Sequence, residues 1–66
     1  MPVINVEGPK IKDIGIKRTL VKEFTASAAK AYGLPEEAIV VLIKENVPEN
    51  VGVGGRLIAD RKKPAG

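Results

Sequence analysis

The stretch from residue 13 to residue 45, "DIGIKRTLVKEFTASAAKAYGLPEEAIVVLIKE", predicts a long helix followed by a strand. Asp13 is a favourable N-cap residue, and Gly33 can adopt the left-handed conformation that ends a helix. Between them, apolar residues recur at three- and four-residue spacings, which is typical of an amphipathic helix of about five turns. The set comprises Ile14, Leu20, Val21, Phe24, Ala28, Ala31 and Tyr32, with Lys17 as its one polar member. We expect Asp13 and Lys17 to form a stabilising side-chain pair.

The segments around this helix predict two strands. After it, "LPEEA" (34–38) indicates one helical turn that starts at Pro35. "IVVLIKE" (39–45) is a continuous run rich in β-branched residues, typical of a strand covered on both faces. Before the helix, "PVINVE" (2–7) predicts a strand with apolar side chains on both faces, and "GPKIK" (8–12) predicts a loop. Two strands joined by a helix of this length are expected to lie parallel.

The predicted fold class is α/β: a short β-α-β subunit with a parallel two-stranded sheet, one long helix and a C-terminal β-hairpin. The hairpin is indicated by the Gly-rich segment "VGVGGRL" (51–57). A phosphate-binding loop is disfavoured because the segment lacks the G-K-[ST] ending and opens no long helix. One helix covers one face of a sheet only, so we expect a second copy of the chain to cover the other. The hairpin is long enough to reach over that neighbour.

Size and composition lead to the same expectation of self-association. The 66 residues predict a single domain (1–66), whose own core supplies only about 3–5 kcal/mol. Cys and His are both absent, which excludes disulfides, zinc fingers and Ser-His or Cys-His catalysis. Oligomerisation is the remaining source of stability. No apolar run approaches the roughly 20 residues of a membrane span and no signal peptide is visible, so we expect a cytoplasmic protein without a membrane partner.

The net charge of +3 comes partly from the tail "DRKKPAG", of which residues 61–66 are expected to be frayed. A modest positive balance suits a small acidic substrate. A nucleic-acid-binding module is the weaker interpretation, because no aromatic residue lies near the tail to stack on a base.

Pro2 has two interpretations. Proline lacks the N–H that strand pairing uses, so the ordinary interpretation is the start of an edge strand. The other depends on removal of Met1, which would leave Pro2 with a free secondary amine. An α-amino group has a pKa of about 7.7–8.0, and burial beside apolar groups and cations disfavours its protonated form. Such an amine could act as a general base that takes a proton α to a carbonyl.

The chain resembles the 4-oxalocrotonate tautomerase family over nearly its whole length. The matching features are "MPVINVEG" (1–8), "KRTLVKEFTASAAKAYGLPEEAIVVLIKE" (17–45) and "NVGVGG" (50–55). The resemblance implies β-α-β subunits that form dimers and commonly hexamers, with no cofactor. It also implies that the amino-terminal proline moves a proton in keto–enol (1,3-allylic) isomerisation of 2-oxo or 2-hydroxy acids.

The resemblance assigns site residues position by position. Pro2 matches the base. The loop arginine of the family falls on Lys12, with Lys10 as a close alternative, and lysine keeps the charge but loses the bidentate fork. A second arginine falls on Val40 and an aromatic residue on Val51, so these two, with Val53, are expected to form apolar walls shared between subunits.

Two consequences follow from the departures at Val40 and Val51. Arg56, Arg61 or a backbone amide would have to replace the missing cation, and the archetypal substrate 2-hydroxymuconate is in doubt. A non-catalytic oligomerisation or ligand-binding subunit with the same fold is the alternative function, and a retained Met1 would favour it.

Overall fold

The secondary structure follows the order that the sequence predicts. The structure is a computed structural model that describes residues 1–61. Its elements are β1 (Val3–Gly8), α1 (Ile14–Tyr32), a 3₁₀ turn (Glu36–Ala38), β2 (Val40–Glu45), a second 3₁₀ turn (Pro48–Asn50), β3 (Gly52–Val53), β4 (Arg56–Leu57) and α2 (Ile58–Arg61). The predicted β-α-β fold with a C-terminal hairpin is confirmed. Arg61 ends α2, and residues 62–66 of the predicted frayed tail lie outside the described residues.

Both ends of α1 are capped as the sequence predicts. Asp13 has an extended backbone, and its Oδ1 accepts a hydrogen bond from the Gly15 N–H at 2.7 Å. Gly33 adopts a φ of 67°, and its N–H bonds to the Ala29 carbonyl. A residue with a Cβ would be strained in that left-handed conformation, so glycine is the natural end of this helix.

Two details of the predicted helical segments are wrong. Asp13 and Lys17 form no side-chain pair, because Lys17 Nζ lies 2.8 Å from Glu45 Oε2 instead. The physical reason is that the Asp13 carboxylate turns back onto an unpaired N–H of the first helical turn, whereas Lys17 lies on the side of α1 that meets β2. Pro35 is the N-cap of the following turn rather than its first helical residue.

The strands β1 and β2 form a parallel sheet, as predicted. Val3 pairs with Val40, and the register continues to Gly8 beside Glu45. Side chains alternate between the two faces of such a sheet. The face toward α1 is half-buried, whereas the other face is largely exposed, with Val3 at 50% and Leu42 at 49%. We call this second surface the uncovered sheet face; its residues are Val3, Asn5, Glu7, Val40, Leu42 and Lys44.

A single chain buries very little of its apolar surface. Among residues 1–61 only Ile39 is classed as a buried hydrophobic residue, at 9% exposure. The radius of gyration is 15.9 Å, whereas a self-contained domain of this length would have about 11 Å. The β-α-β unit therefore lacks a core of its own, in keeping with the expectation that other copies of the chain cover it.

The Gly-rich segment forms the predicted hairpin. β3 and β4 pair antiparallel, with Val53 opposite Arg56. The turn between them is Gly54-Gly55, with φ of 64° and 84°. Two consecutive positive φ values are typical of the tight turns that match strand twist, and glycine adopts them without strain. None of the helices in the described part of the chain is long and apolar enough to cross a lipid bilayer.

Candidate active site

Pro2 lies at the start of the sheet, directly before β1. Its carbonyl oxygen accepts a hydrogen bond from the Val40 N–H at 3.0 Å, so the first bond of the ladder fixes its backbone. Pro2 is half-buried, whereas Met1 is 83% exposed. Removing Met1 would therefore cost little packing, and the hydrogen bond to the Pro2 carbonyl would still hold the proline in position.

Val40 is a sequence-predicted site residue that the structure brings next to Pro2. The Val40 N–H to Pro2 carbonyl bond and the pairing of Val40 with Val3 place it at the same end of the sheet. It also belongs to the uncovered sheet face. The position that the family resemblance assigns to a cation is thus apolar and adjacent to the proline.

Lys12 and Lys10 lie at the opposite end of the sheet. Both are exposed in the loop that follows β1. The six residues of β1 separate this loop from Pro2, which corresponds to about 20 Å at a rise of about 3.3 Å per residue. Within one chain, the structure does not bring Pro2 and the loop lysines together.

A carboxylate holds this loop against the end of β2. Glu45 Oε2 accepts a hydrogen bond from the Ile11 N–H at 3.1 Å and lies 2.8 Å from Lys17 Nζ. The hydrogen bond from Lys17 is the main reason why the pKa of Glu45 is lowered, and the Ile11 N–H lowers it further. Glu45 therefore stays ionised to lower pH than an ordinary glutamate.

A groove of about 630 Å³ lies at the same end of the sheet as the lysine loop. Val51 is part of its wall, with Pro9 from the loop and Pro48 from the second 3₁₀ turn. Its polar groups include Asn46, whose Nδ2 donates to Glu7 Oε2 at 3.4 Å. Val53 is not among the residues that line the groove; it is exposed on the hairpin.

The two arginines that were expected to replace the missing family cation are both exposed near the C-terminus. Arg56 lies in β4 of the hairpin, and Arg61 ends α2. No group of three carboxylates within residues 1–61 could hold a metal ion.

Sequence reasoning missed Glu45 and the groove residue Asn46. One signal for Glu45 was available: Lys17 interrupts the apolar side of α1, and a cation there needs an anionic partner. Asn46 had no comparable signal, because its position depends on the backbone bond from its N–H to the Gly8 carbonyl at 2.9 Å.

The β-α-β fold with its C-terminal hairpin is that of solved structures of the tautomerase family. A sequence model of that family, described as "Tautomerase enzyme", matches residues 2–61. The chain therefore belongs to the tautomerase family. This confirms the resemblance that the sequence indicated.

Individual relatives agree with this assignment. A protein of Bacillus cereus named "Probable tautomerase" is 33% identical over 61 residues, which are 92% of this chain and 100% of the relative. The crystal structure of DmpI from Archaeoglobus fulgidus is 54% identical, with a TM-score of 0.80 over 89% of this chain and 100% of that one. A heterohexamer 4-oxalocrotonate tautomerase from Chloroflexus aurantiacus is 25% identical, with a TM-score of 0.80 over 91% and 97% of the two chains.

Proposed function

We propose that the chain is a subunit of a cofactor-independent tautomerase. It would catalyse keto–enol (1,3-allylic) proton transfer on a small 2-oxo or 2-hydroxy acid, with Pro2 as general base and then acid after removal of Met1. The observation that carries the proposal is the position of Pro2: half-buried and held by Val40 at the start of β1, behind an exposed Met1. Membership of the tautomerase family supports the reaction class.

The chemistry begins with the nitrogen of Pro2. While Met1 is attached, this nitrogen is part of an amide and is not basic. As a free secondary amine it would have a reference pKa of about 7.7–8.0, which leaves a useful neutral fraction near pH 7. Burial beside apolar groups would favour that neutral form. The amine would take a proton from the carbon next to the carbonyl and return it to the other end of the allylic system.

The substrate carboxylate is assigned to Lys12, with Lys10 as the alternative. Either ammonium group would bind a carboxylate as a point charge, without the bidentate geometry of arginine. Val40, Val51 and Val53 would supply apolar walls. Arg56, Arg61 or a backbone N–H would stabilise the developing enolate oxygen, a contribution that can be worth 10²-fold or more in rate.

We infer that more than one chain builds each site. Pro2 and the lysine loop are about 20 Å apart in one chain, which no small acid can span. A second copy must therefore bring its loop and groove to Pro2 of the first. The uncovered sheet face offers a surface for such an assembly, and the heterohexamer of the Chloroflexus relative supports an oligomer. We propose a homo-oligomer built from dimers, with a hexamer as the full assembly.

The direct test compares two chains that differ only at the N-terminus. At 66 residues, chains 1–66 and 2–66 can both be made by chemical synthesis, which controls the state of Met1. We expect chain 2–66 to isomerise phenylenolpyruvate or 2-hydroxymuconate and chain 1–66 to be inactive, because its proline nitrogen is acylated. Pro2→Ala should lose most of the activity, whereas Pro35→Ala, which changes the proline that caps the 3₁₀ turn before β2, should keep it. Equal rates for 1–66 and 2–66 would remove Pro2 from the mechanism.

A non-catalytic oligomerisation or ligand-binding subunit is the second candidate. Val40 beside Pro2 favours it, because a valine there supplies no charge to stabilise an enolate. The intact mass of the chain from its native source separates the two functions, since a retained Met1 is compatible only with this second candidate. Under either function we expect a cytoplasmic protein without nucleic-acid or membrane partners.

A further inference from the structure

Glu45 has no part in the proton transfer, yet it joins three elements of the fold. We propose that Glu45 is a positioning residue that fastens the lysine loop, so that Lys10 and Lys12 meet the substrate carboxylate. This inference rests on the proposed function, because it takes the loop as the carboxylate-binding segment.

The hydrogen bonds of Glu45 carry the argument. Its Oε2 atom accepts from the Ile11 N–H of the loop at 3.1 Å and from Lys17 Nζ of α1 at 2.8 Å. The side chains of Lys17 and Glu45 are about one quarter exposed, at 28% and 26%, so the pair is partly shielded from solvent. One carboxylate oxygen at the end of β2 therefore ties the loop to both the helix and the sheet.

Ile11 is the point of the loop where an anchor has most effect on the lysines. The loop leaves the sheet at Gly8, whose carbonyl accepts from the Asn46 N–H, and enters the helix at Asp13. Between these ends, the Ile11 N–H makes the one backbone hydrogen bond that the described residues provide to residues 9–12. Lys10 and Lys12 flank it directly. Fixing Ile11 thus lowers the conformational entropy that either lysine loses when it binds a ligand.

Lys17 supports this role of Glu45 by neutralising its carboxylate. Two cationic side chains act on the carboxylate, Lys17 from α1 and Lys10 from the loop. The bonded partner is Lys17, which neutralises Glu45 and leaves Lys10 available for a substrate. Without Lys17, Glu45 would compete with the substrate for the loop lysines. Substitution of either partner should therefore weaken carboxylate binding.

The test uses the Met1-free full chain with Glu45→Gln, Glu45→Ala and Lys17→Met. Glu49→Gln is the matched control, because Glu49 is exposed in the nearby 3₁₀ turn and makes no ion pair among residues 1–61. With phenylenolpyruvate, Glu45→Ala and Lys17→Met should each raise KM about three- to fivefold and change kcat less than about twofold. Glu45→Gln should lie between wild type and Glu45→Ala, because an amide oxygen can still accept from Ile11. A purely structural role would instead lower kcat through loss of folded sites and leave KM unchanged.

A binding measurement makes the result independent of turnover. Cinnamate carries a carboxylate but cannot enolise, and the amide resonances of Lys10 and Lys12 report its dissociation constant by NMR. The constant should rise in the order wild type, Glu45→Gln, Glu45→Ala, with Glu49→Gln equal to wild type. This order without turnover by wild type would reject the proposed reaction and keep the role of Glu45. An unchanged KM and dissociation constant in folded Glu45→Gln and Lys17→Met would overturn the inference.

Discussion

Replacing Leu42 with aspartate should break the assembly, because Leu42 lies in the middle of the uncovered sheet face. Its partner across the sheet is Asn5, and its neighbour along the same face is Val40. In the single chain the Leu42 side chain is 49% exposed, so a large apolar side chain in the middle of a strand stays half in contact with solvent. The proposed oligomer covers this area with a second copy.

The expected magnitude follows from that exposure. Full burial of a leucine side chain is worth about 1.5–3 kcal/mol, so covering the remaining half contributes roughly 1 kcal/mol per subunit. A two-fold symmetric contact uses Leu42 twice, which gives roughly 2 kcal/mol. Each aspartate adds a desolvation penalty of at least about 1 kcal/mol. The total of at least about 4 kcal/mol corresponds to a loss of about 10³-fold in association.

Sedimentation velocity over a dilution series measures this effect against the 7.0 kDa mass of one chain. We expect wild type to sediment as an oligomer and Leu42→Asp to dissociate at concentrations where wild type is intact. Ile16→Asp is the control: Ile16 is 60% exposed but lies on α1, away from the uncovered sheet face. A Leu42→Asp variant that assembles as well as wild type would refute the proposed interface.

Three further predictions concern stability. Gly55→Ala should destabilise the hairpin by about 1 kcal/mol, because the backbone φ is 84° there. Gly8→Ala should be tolerated, since its Cβ would meet open space, and urea unfolding compares the two variants. Asp13→Ala should cost about 1 kcal/mol through loss of the N-cap bond to Gly15, and Asp13→Asn, which keeps an acceptor oxygen, should recover most of it in the same assay. Because Lys17 and the Ile11 N–H lower the pKa of Glu45, its contribution is fully present above the ordinary value of 4.5 and is lost as pH falls through the lowered pKa. The difference in Tm between wild type and Glu45→Gln should therefore shrink on acidification, and a difference that grows would contradict this sign.

The elements of this fold could be predicted because their signals are local. The cap at Asp13, the stop at Gly33 and the glycine pair at 54–55 each act through the backbone of a few residues, and the structure has them as expected. The run at 39–45 contains enough β-branched residues to identify β2 without any partner.

The candidate site could be predicted only as a set of residues, because its geometry depends on contacts distant in sequence. The partner of Lys17 lies 28 residues further along the chain at Glu45, so helix spacing pointed to the nearer Asp13 instead. The separation of Pro2 from Lys12 follows from the length of β1, which the strand predicted at residues 2–7 already implies. The roles of Pro2 and Lys12 in catalysis stay predictions, and the comparison of chains 1–66 and 2–66 tests the role of Pro2.

The near absence of a core within the single chain has a consequence for how the protein is maintained. When the apolar surface of a subunit is covered mainly by its neighbours, folding and association become one equilibrium, and the total amount of chain enters it by mass action. In the proposed oligomer, dilution would therefore favour the unfolded chain. The midpoint temperature of unfolding would therefore rise with the total concentration of the chain.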